Sequence, residues 1–333
     1  MRHRVAIVGL GRMGLGCENT NQKNPGHSHT AAVVKHSDSH LVAVCETDPE
    51  KLSYFMESYP SIKAYESLDE MLKAETLDLL IIASPTRLHG QMIEKAIAYE
   101  VHSILCEKPI TDEPAEVEQL IQLVDGSMSK VWVNYQRRWE PLCRQVKLLL
   151  DTGAIGEIQH VSLSYCTGIY NDASHLIDWV MHMMGPVEWV QGDFTEIQPI
   201  RVSEPNVTGI FKLRSGILGT LQALDREQFN FFEIDIVGRK GRIRSLNHMT
   251  QFEVHEAKEN GVFEGDSYLI GTRIIEGKQS RFEAPEIALN EILGSASSEA
   301  GCTIHEAVDC LKVAAAFVES AQGSGKRIIL NRF

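Results

Sequence analysis

The first third of the chain alternates apolar runs with amphipathic stretches. Arg4–Val8, Leu41–Cys45, Leu77–Ala83 and His102–Cys106 are nearly continuous apolar runs of strand length, and Val131–Val133 is a shorter one. Between them, Pro49–Tyr59, Leu68–Ala74 and His89–Tyr99 repeat apolar residues at helical spacing. Strands without polar alternation are buried on both faces, so this pattern predicts a doubly wound parallel sheet covered by helices. Val131–Val133 falls at its edge. After about residue 155 the texture changes. Gln159–Cys166, Val187–Phe194, Thr208–Leu213, Leu218–Leu224 and Phe231–Val237 follow one another closely, with turn-like Ser215-Gly216 and Arg239-Lys240-Gly241 among them. Short runs so spaced predict a large, mainly antiparallel sheet. Helical spacing returns at Ala284–Leu293 and Ile304–Gln322. The expectation is an α/β domain over 1–133 followed by an α+β domain over 134–333.

Composition excludes several classes. The 333 residues suit roughly two domains at about 150 residues each. Acids outnumber bases by 45 to 32, a net charge of −13, which gives no general affinity for polyphosphate, so nucleic acid is not expected as a partner. No apolar run approaches the roughly 18 residues that cross a bilayer. The apolar run in MRHRVAIVGLG is too short for a signal-peptide core. The seven cysteines at 17, 45, 106, 143, 166, 302 and 310 are odd in number and form no C-x-x-C. Small buried thiols in a reducing compartment are expected, hence a cytoplasmic protein without disulfides.

Gly9-Leu10-Gly11-Arg12-Met13-Gly14 is a G-x-G-x-x-G directly after the first strand. The first glycine permits the tight turn, the second lets the backbone approach a pyrophosphate, and the third allows close helix–strand packing. Strand before and helix after make this a dinucleotide signal rather than a bare glycine turn. Glu46 directly follows the second strand, where an acid can accept hydrogen bonds from the adenosine ribose and repel a 2′-phosphate. NAD is therefore favoured over NADP. The interval from Gly14 is 32 residues, against about 20 in the usual pattern. The polar Cys17–Ser28 segment reads as an insertion in the first crossover. Asp48, before Pro49, suits a helix N-cap better than a ligand.

Ser84-Pro85-Thr86-Arg87-Leu88-His89 and Glu107-Lys108-Pro109 follow the third and fourth runs, at the strand ends where ligands of open α/β sheets bind. Lys108 can polarise an oxygen or stand as a solvated surface lysine. His89 can face the ligand edge or pack at a helix start. Farther on, Asn171, Asp172 and His175 precede Trp179 on a helical pattern, with Tyr170 beside them. His175 is a natural proton acceptor for an alcohol losing hydride, while Asn171, Asp172 or Ser174 can equally be helix caps. His175, Asp178 and His182 share a helical face, but no further ligand motif accompanies them, so no metal is expected. Tyr135, Arg137 and Arg138 lie just past the last parallel strand, where paired arginines can grip an anionic group of a substrate or brace the domain junction.

Taken together, GLGRMG at 9–14, the acid at 46, SPTRLH at 84–89, EKP at 107–109, NYQRR at 134–138 and SHLID at 174–178 resemble the glucose–fructose oxidoreductase / inositol dehydrogenase / rhizopine-catabolism family, Gfo/Idh/MocA, over essentially the whole chain. The resemblance implies a Rossmann domain and a second domain whose open sheet face packs in homodimers or tetramers. It implies a catalytic Lys108 and His175, with Pro85 and Thr86 near the nicotinamide. It departs at Asn171, where many members carry Asp; Asp172 is one position late. The expected activity is hydride transfer between NAD and a hydroxyl carbon of a sugar, cyclitol or nucleotide-sugar. Two alternatives remain at this stage: an enzyme that holds NAD tightly without net redox, and a dinucleotide sensor.

Overall fold

The structure is a computed structural model that describes residues 2–16, 28–112, 116–197, 204–259, 265–277, 280–294 and 301–330. Cys17 and the rest of the expected insertion up to residue 27 lie outside the described residues. The order begins β1 (His3–Val8), α1 (His29–Lys35), β2 (Ser39–Cys45), α2 (Pro49–Ser58), β3 (Lys63–Tyr65), α3 (Leu68–Ala74), β4 (Leu79–Ile82), α4 (His89–Ala98), β5 (Ser103–Cys106), α5 (Val117–Asp125) and β6 (Lys130–Val133). It continues with α6 (Pro141–Asp151), β7 (Ile158–Tyr165), α7 (Ser174–Met184), β8 (Val187–Phe194), β9 (Val207–Leu213), β10 (Leu218–Ala223), β11 (Glu233–Gly238), β12 (Gly241–Leu246), β13 (Gln251–Glu259) and β14 (Ser267–Glu276). α8 (Ser280–Leu293), β15 (Cys302–Thr303), α9 (Ile304–Gln322) and β16 (Ile328–Ile329) complete it.

The chain divides into two compact units, residues 1–140 with 281–308 and residues 141–280 with 309–333. A single cut near 134 does not anticipate the return of 281–308 to the first unit. The reason is packing and pairing. Ala284, Ala288, Leu289 and Ile292 of α8 join one core with Val5, Ile7, Leu79, Ile81 and Trp132. Cys302 and Thr303 pair antiparallel with Val133 and Trp132.

Unit 1 carries a seven-stranded sheet ordered β15-β6-β5-β4-β1-β2-β3, parallel from β6 to β3. β4 and β5 are buried at every residue, as their unbroken apolar runs require. Its first crossover helix is spliced. Leu15 N–H donates to Gly11 O, closing one helical turn, and then His29 N–H donates to Met13 O and Thr30 N–H to Gly14 O. The last two bonds span 16 residues where an α-helix spans four. The ladder of bonds thus skips twelve residues of the sequence. Taking them out of the 32-residue interval Gly14–Glu46 leaves the usual spacing of about 20.

Unit 2 carries a nine-stranded sheet ordered β14-β13-β12-β11-β7-β10-β9-β8-β16, antiparallel except for the β7–β10 pair. Burial alternates along β7, β11 and β12, so one face is covered and the other is open. Ile177 and Val180 of α7 and Val313 and Phe317 of α9 line one apolar cluster with Leu163, Val187 and Phe211 of the sheet. A fully buried side chain of this size contributes about 1.5–3 kcal/mol.

Candidate active site

The carboxyl ends of β1, β2, β4, β5 and β6 of unit 1 carry the expected nucleotide residues. Gly9 has φ +93°, and a Cβ there would lie 2.6 Å from Ala83 O. A Cβ on Gly14 would run into the Gly9 carbonyl. These two glycines are therefore required by the fold itself. At Gly11, by contrast, a Cβ would meet no atom within 4 Å among the described residues. That open side is the cradle a pyrophosphate needs. Arg12 is exposed and Met13 half-buried beside it.

Glu46 stands at the end of β2 and faces this loop. Its Oε2 accepts from Leu10 N–H at 2.7 Å, and its Oε1 from Thr47 N–H and Asp48 N–H at 2.8 and 3.0 Å. Three backbone donors thus fix the carboxylate beside the glycine loop. Asp48 instead caps α2, accepting from Glu50 N–H and Lys51 N–H, as its place before Pro49 suggested. After β4, the Ser84 hydroxyl oxygen is buried with no hydrogen-bond partner among the described residues. Pro85 is exposed and Thr86 half-buried. A glycine cradle, a pinned acid and an orphaned hydroxyl at one sheet edge together fit a dinucleotide.

Two residues expected at the cofactor, His89 and Glu107, are buried and bonded to protein groups. His89 is 1% exposed. Its Nδ1 is 2.8 Å from Pro109 O and its Nε2 2.9 Å from Ser84 O, so the ring ties the loops after β4 and β5 together. Glu107 is also buried, and its Oε1 accepts from Asn134 Nδ2 at 2.7 Å and His29 Nε2 at 2.8 Å. Burial alone would raise the Glu107 carboxyl, but His29, Asn134 and the charge of Lys108 outweigh it and hold it below the ordinary carboxylate value. The half-buried Lys108 follows at once, through a cis peptide to Pro109. Sequence reasoning missed His29, because fourteen residues of sequence separate it from Gly14.

The residues expected to grip substrate after β6 are buried. Tyr135 is 1% exposed. Arg137 is buried and donates through one nitrogen to both oxygens of Glu140 at 2.8 Å, a carboxylate that is itself 1% exposed. Arg138 is buried and donates to Glu306 Oε1 at 2.7 Å and Gly301 O at 3.4 Å. Glu306 also closes a capping box on α9: Thr303 N–H donates to Glu306 Oε2, and Glu306 N–H donates to Thr303 Oγ1. Burial would raise the Glu306 carboxyl, but the charge of Arg138 and the Thr303 donors bring it below the ordinary value. Each guanidinium group thus pairs with a carboxylate of unit 1.

In unit 2, the expected catalytic segment lies on an unusual turn. Asp172 N–H and Ala173 N–H both donate to Gly168 O, so Ile169–Ala173 forms a single π-turn leading into α7. Such turns recur at functional sites. Gly168 has φ +89°, and a Cβ there would strike Glu204. The Glu204 carboxylate accepts from Asn171 N–H, and Asn206 Oδ1 accepts from Gly168 N–H. The exposed Asn171 donates through Nδ2 to Thr167 Oγ1 at 3.0 Å and Asp172 Oδ1 at 3.3 Å. Asp172 Oδ2 is buried without a hydrogen-bond partner among the described residues. Burial, and then the charge of Glu204, push the Tyr170 hydroxyl up.

His175 is half-buried in the first turn of α7, and its ring meets Phe232 edge-on at 6.5 Å. Phe232 in turn packs on His248 at 5.0 Å. His248 sits in a run of three left-handed residues, Asn247, His248 and Met249, with φ of 51°, 62° and 61°. The carboxylate of Glu233 receives the N–H groups of Asn247 and His248, which oppose the upward push of its burial. Among the described residues no group of three or more His, Cys, Asp or Glu is arranged to hold a metal. Nor is any described helix long and apolar enough to cross a membrane.

Comparison with known proteins agrees with this geometry. A family model described as "Oxidoreductase family, NAD-binding Rossmann fold" matches residues 3–135, and the GFO/IDH/MocA C-terminal domain matches residues 167–244. Inositol 2-dehydrogenase of Rhizobium meliloti is 28% identical over 164 residues, a match spanning 49% of this chain and 45% of that protein. Myo-inositol 2-dehydrogenase of Thermotoga maritima is 23% identical over 265 residues, covering 73% of this chain and 75% of that one. Among solved structures, the WlbA dehydrogenase of Bordetella pertussis, in complex with NADH and UDP-GlcNAcA, superposes with a TM-score of 0.80 at 20% identity, covering 100% of this chain and 99% of that one. Scyllo-inositol dehydrogenase of Lactobacillus casei, with NAD(H) and scyllo-inositol, gives 0.74 at 20%, covering 99% of each. At these identities the structural likeness speaks for the fold.

Proposed function

The chain belongs to the GFO/IDH/MocA oxidoreductase family, and we propose that it is an NAD-dependent dehydrogenase acting on a secondary hydroxyl of a sugar, cyclitol or nucleotide-sugar. The observation that carries this reading is the nucleotide edge of unit 1, with an open cradle at Gly11 and a carboxylate fixed opposite it at Glu46. NAD, when bound, supplies the hydride acceptor. Gly11 admits the pyrophosphate, Glu46 receives the ribose hydroxyls and excludes a 2′-phosphate by charge, and Ser84 offers its hydroxyl. Lys108 carries a positive charge that polarises the reacting oxygen. His175 accepts the hydroxyl proton. Asn171 orients its segment through Thr167, and Asp172 supplies the carboxylate that many relatives hold one position earlier. Self-association through the open face of the unit-2 sheet belongs to the same reading, supported by exposed Ile210 and Leu218, which share that face with polar Thr208 and Lys212.

The test is a pair of measurements on the purified protein. Calorimetric titration should give tight NADH binding and much weaker NADPH binding. Incubation with NAD and a panel of myo-inositol, scyllo-inositol, D-apiose and UDP-GlcNAcA should then yield NADH from at least one of them. Preference for NADPH would overturn the role of Glu46. Binding of neither nucleotide would remove the dehydrogenase reading.

A further inference from the structure

The ring of His89 sits between two acceptors. Its Nδ1 is 2.8 Å from Pro109 O and its Nε2 2.9 Å from Ser84 O. A carbonyl oxygen has no proton to give, and a neutral imidazole has only one N–H. Both distances are those of made bonds, so the geometry suits a ring with a proton on each nitrogen, a cation. The surroundings oppose one. The residue is 1% exposed, and the two carbonyls are its only hydrogen-bond or ion-pair partners among the described residues. It opens α4, where the helix dipole disfavours positive charge. A buried charge without a counter-charge is costly. The charged groups around it are Arg87 in the turn before α4, Glu107 and Lys108 ahead of Pro109, and Glu116, whose Oε2 would lie 3.4 Å from a Cβ on Gly90. Glu107 is already matched by His29 and Asn134. Farther along α4, Lys95 pairs with Asp69 of α3. Cations and anions here are equal in number, so the chain supplies the ring with no net negative charge.

The glycine loop lies one residue away. Gly9 packs against the Ala83–Ser84 peptide so closely that a Cβ on it would lie 2.7 Å from Ser84 N. Ser84 O is the atom that His89 Nε2 meets. Through that single residue the ring stands on the order of 10 Å from the loop. We propose that His89 takes up a proton when a dinucleotide binds, the diphosphate supplying the counter-charge for an imidazolium that holds Ser84 and Pro109 in place. The inference rests on the nucleotide reading of this edge and is independent of turnover. Two unit charges about 10 Å apart, at an effective dielectric constant of about 20, change a proton affinity roughly tenfold. Linkage requires the converse: NADH binds roughly tenfold more tightly on the acid side of the His89 transition than on its alkaline side.

The simpler view is a brace between the two loops whose protonation does not change. The two views differ in the protons that accompany cofactor binding. Calorimetric titration of the full-length protein with NADH, repeated at each pH in buffers of different ionisation enthalpy, counts them. The expected result between about pH 6 and pH 8 is a net uptake that peaks at about half a proton per NADH bound. His89→Gln and His89→Asn should take up none, and their NADH affinity should no longer follow pH. No uptake in the wild type, or the wild-type uptake in a folded variant, overturns the proposal. If neither variant folds by circular dichroism, wild-type protein labelled with 15N-histidine decides it. One ring should then carry slowly exchanging protons on both nitrogens in the NADH complex and on one in the free protein; spectra without such a ring overturn the proposal. An absence of NADH binding refutes the nucleotide reading and this proposal with it. Proton uptake without hydride transfer upholds the role of His89 and refutes the dehydrogenase reading, so the two failures are told apart.

Discussion

Replacing Gly11 with alanine separates what the glycine loop does for the fold from what it does for a ligand. The added Cβ meets no atom within 4 Å among the described residues, and Gly11 is not in the left-handed region. Folding should therefore be untouched, or favoured by about 0.4–1 kcal/mol through a less flexible unfolded chain. The same methyl occupies the space through which a pyrophosphate approaches the backbone. A hydrogen bond to a charged group contributes about 1.5–3 kcal/mol, so losing one weakens NADH binding by roughly 10- to 150-fold. Gly14→Ala is the control: its Cβ would run into the Gly9 carbonyl, so thermal stability falls. The assay is a thermal melt and a calorimetric NADH titration on each variant. An unchanged NADH affinity in Gly11→Ala would refute the argument, because the open side of the loop would then face no nucleotide.

Deleting residues 16–27 should leave a folded protein that still binds NADH, since the helical ladder already skips twelve residues; closing a loop of this length accounts for only about 2 kcal/mol, and circular dichroism with titration reads the outcome. Glu140→Gln removes the buried carboxylate that pairs with Arg137 and should cost about 3–5 kcal/mol in denaturant unfolding. Glu107 and Glu306 both titrate below the ordinary carboxylate value in the folded chain. Their stabilisation is complete above the unfolded value of about 4.3 and is lost as pH falls through their lower folded values; Glu306→Gln should flatten that acid limb of the denaturation midpoint. Lys108→Ala should lower turnover by orders of magnitude while leaving NADH affinity close to wild type, and near-normal turnover would remove this lysine from the reaction.

The parallel strands, the sheet edge and the glycine loop were legible in the sequence because each rests on local pattern. β4 and β5 are buried throughout, and an unbroken apolar run reports that directly. Asp48 before Pro49 announced a cap and is one. What stayed hidden depends on partners far along the chain. Arg137 and Arg138 offered two charges at the right place, but their commitments lie with Glu140 and with Glu306, the latter 168 residues away. No periodicity reports that residues 281–308 return to the first unit, because α8 and β15 are placed by packing and pairing with strands read long before. The π-turn before His175 follows from Gly168 and from the Glu204–Asn206 stretch that holds it. The left-handed run at Asn247–Met249 has no glycine to announce it. His29 was concealed by spacing alone, and the bond from its N–H to Met13 O recovers it.

The central claim is hydride transfer between a carbinol carbon and NAD. It is tested most directly by incubating the protein with NAD and perdeuterated inositols and sugars, then weighing the recovered cofactor. The account predicts reduced cofactor carrying one deuterium, formed with at least one of these compounds and absent in Lys108→Ala. Cofactor that binds but gains no deuterium from any of them would contradict it.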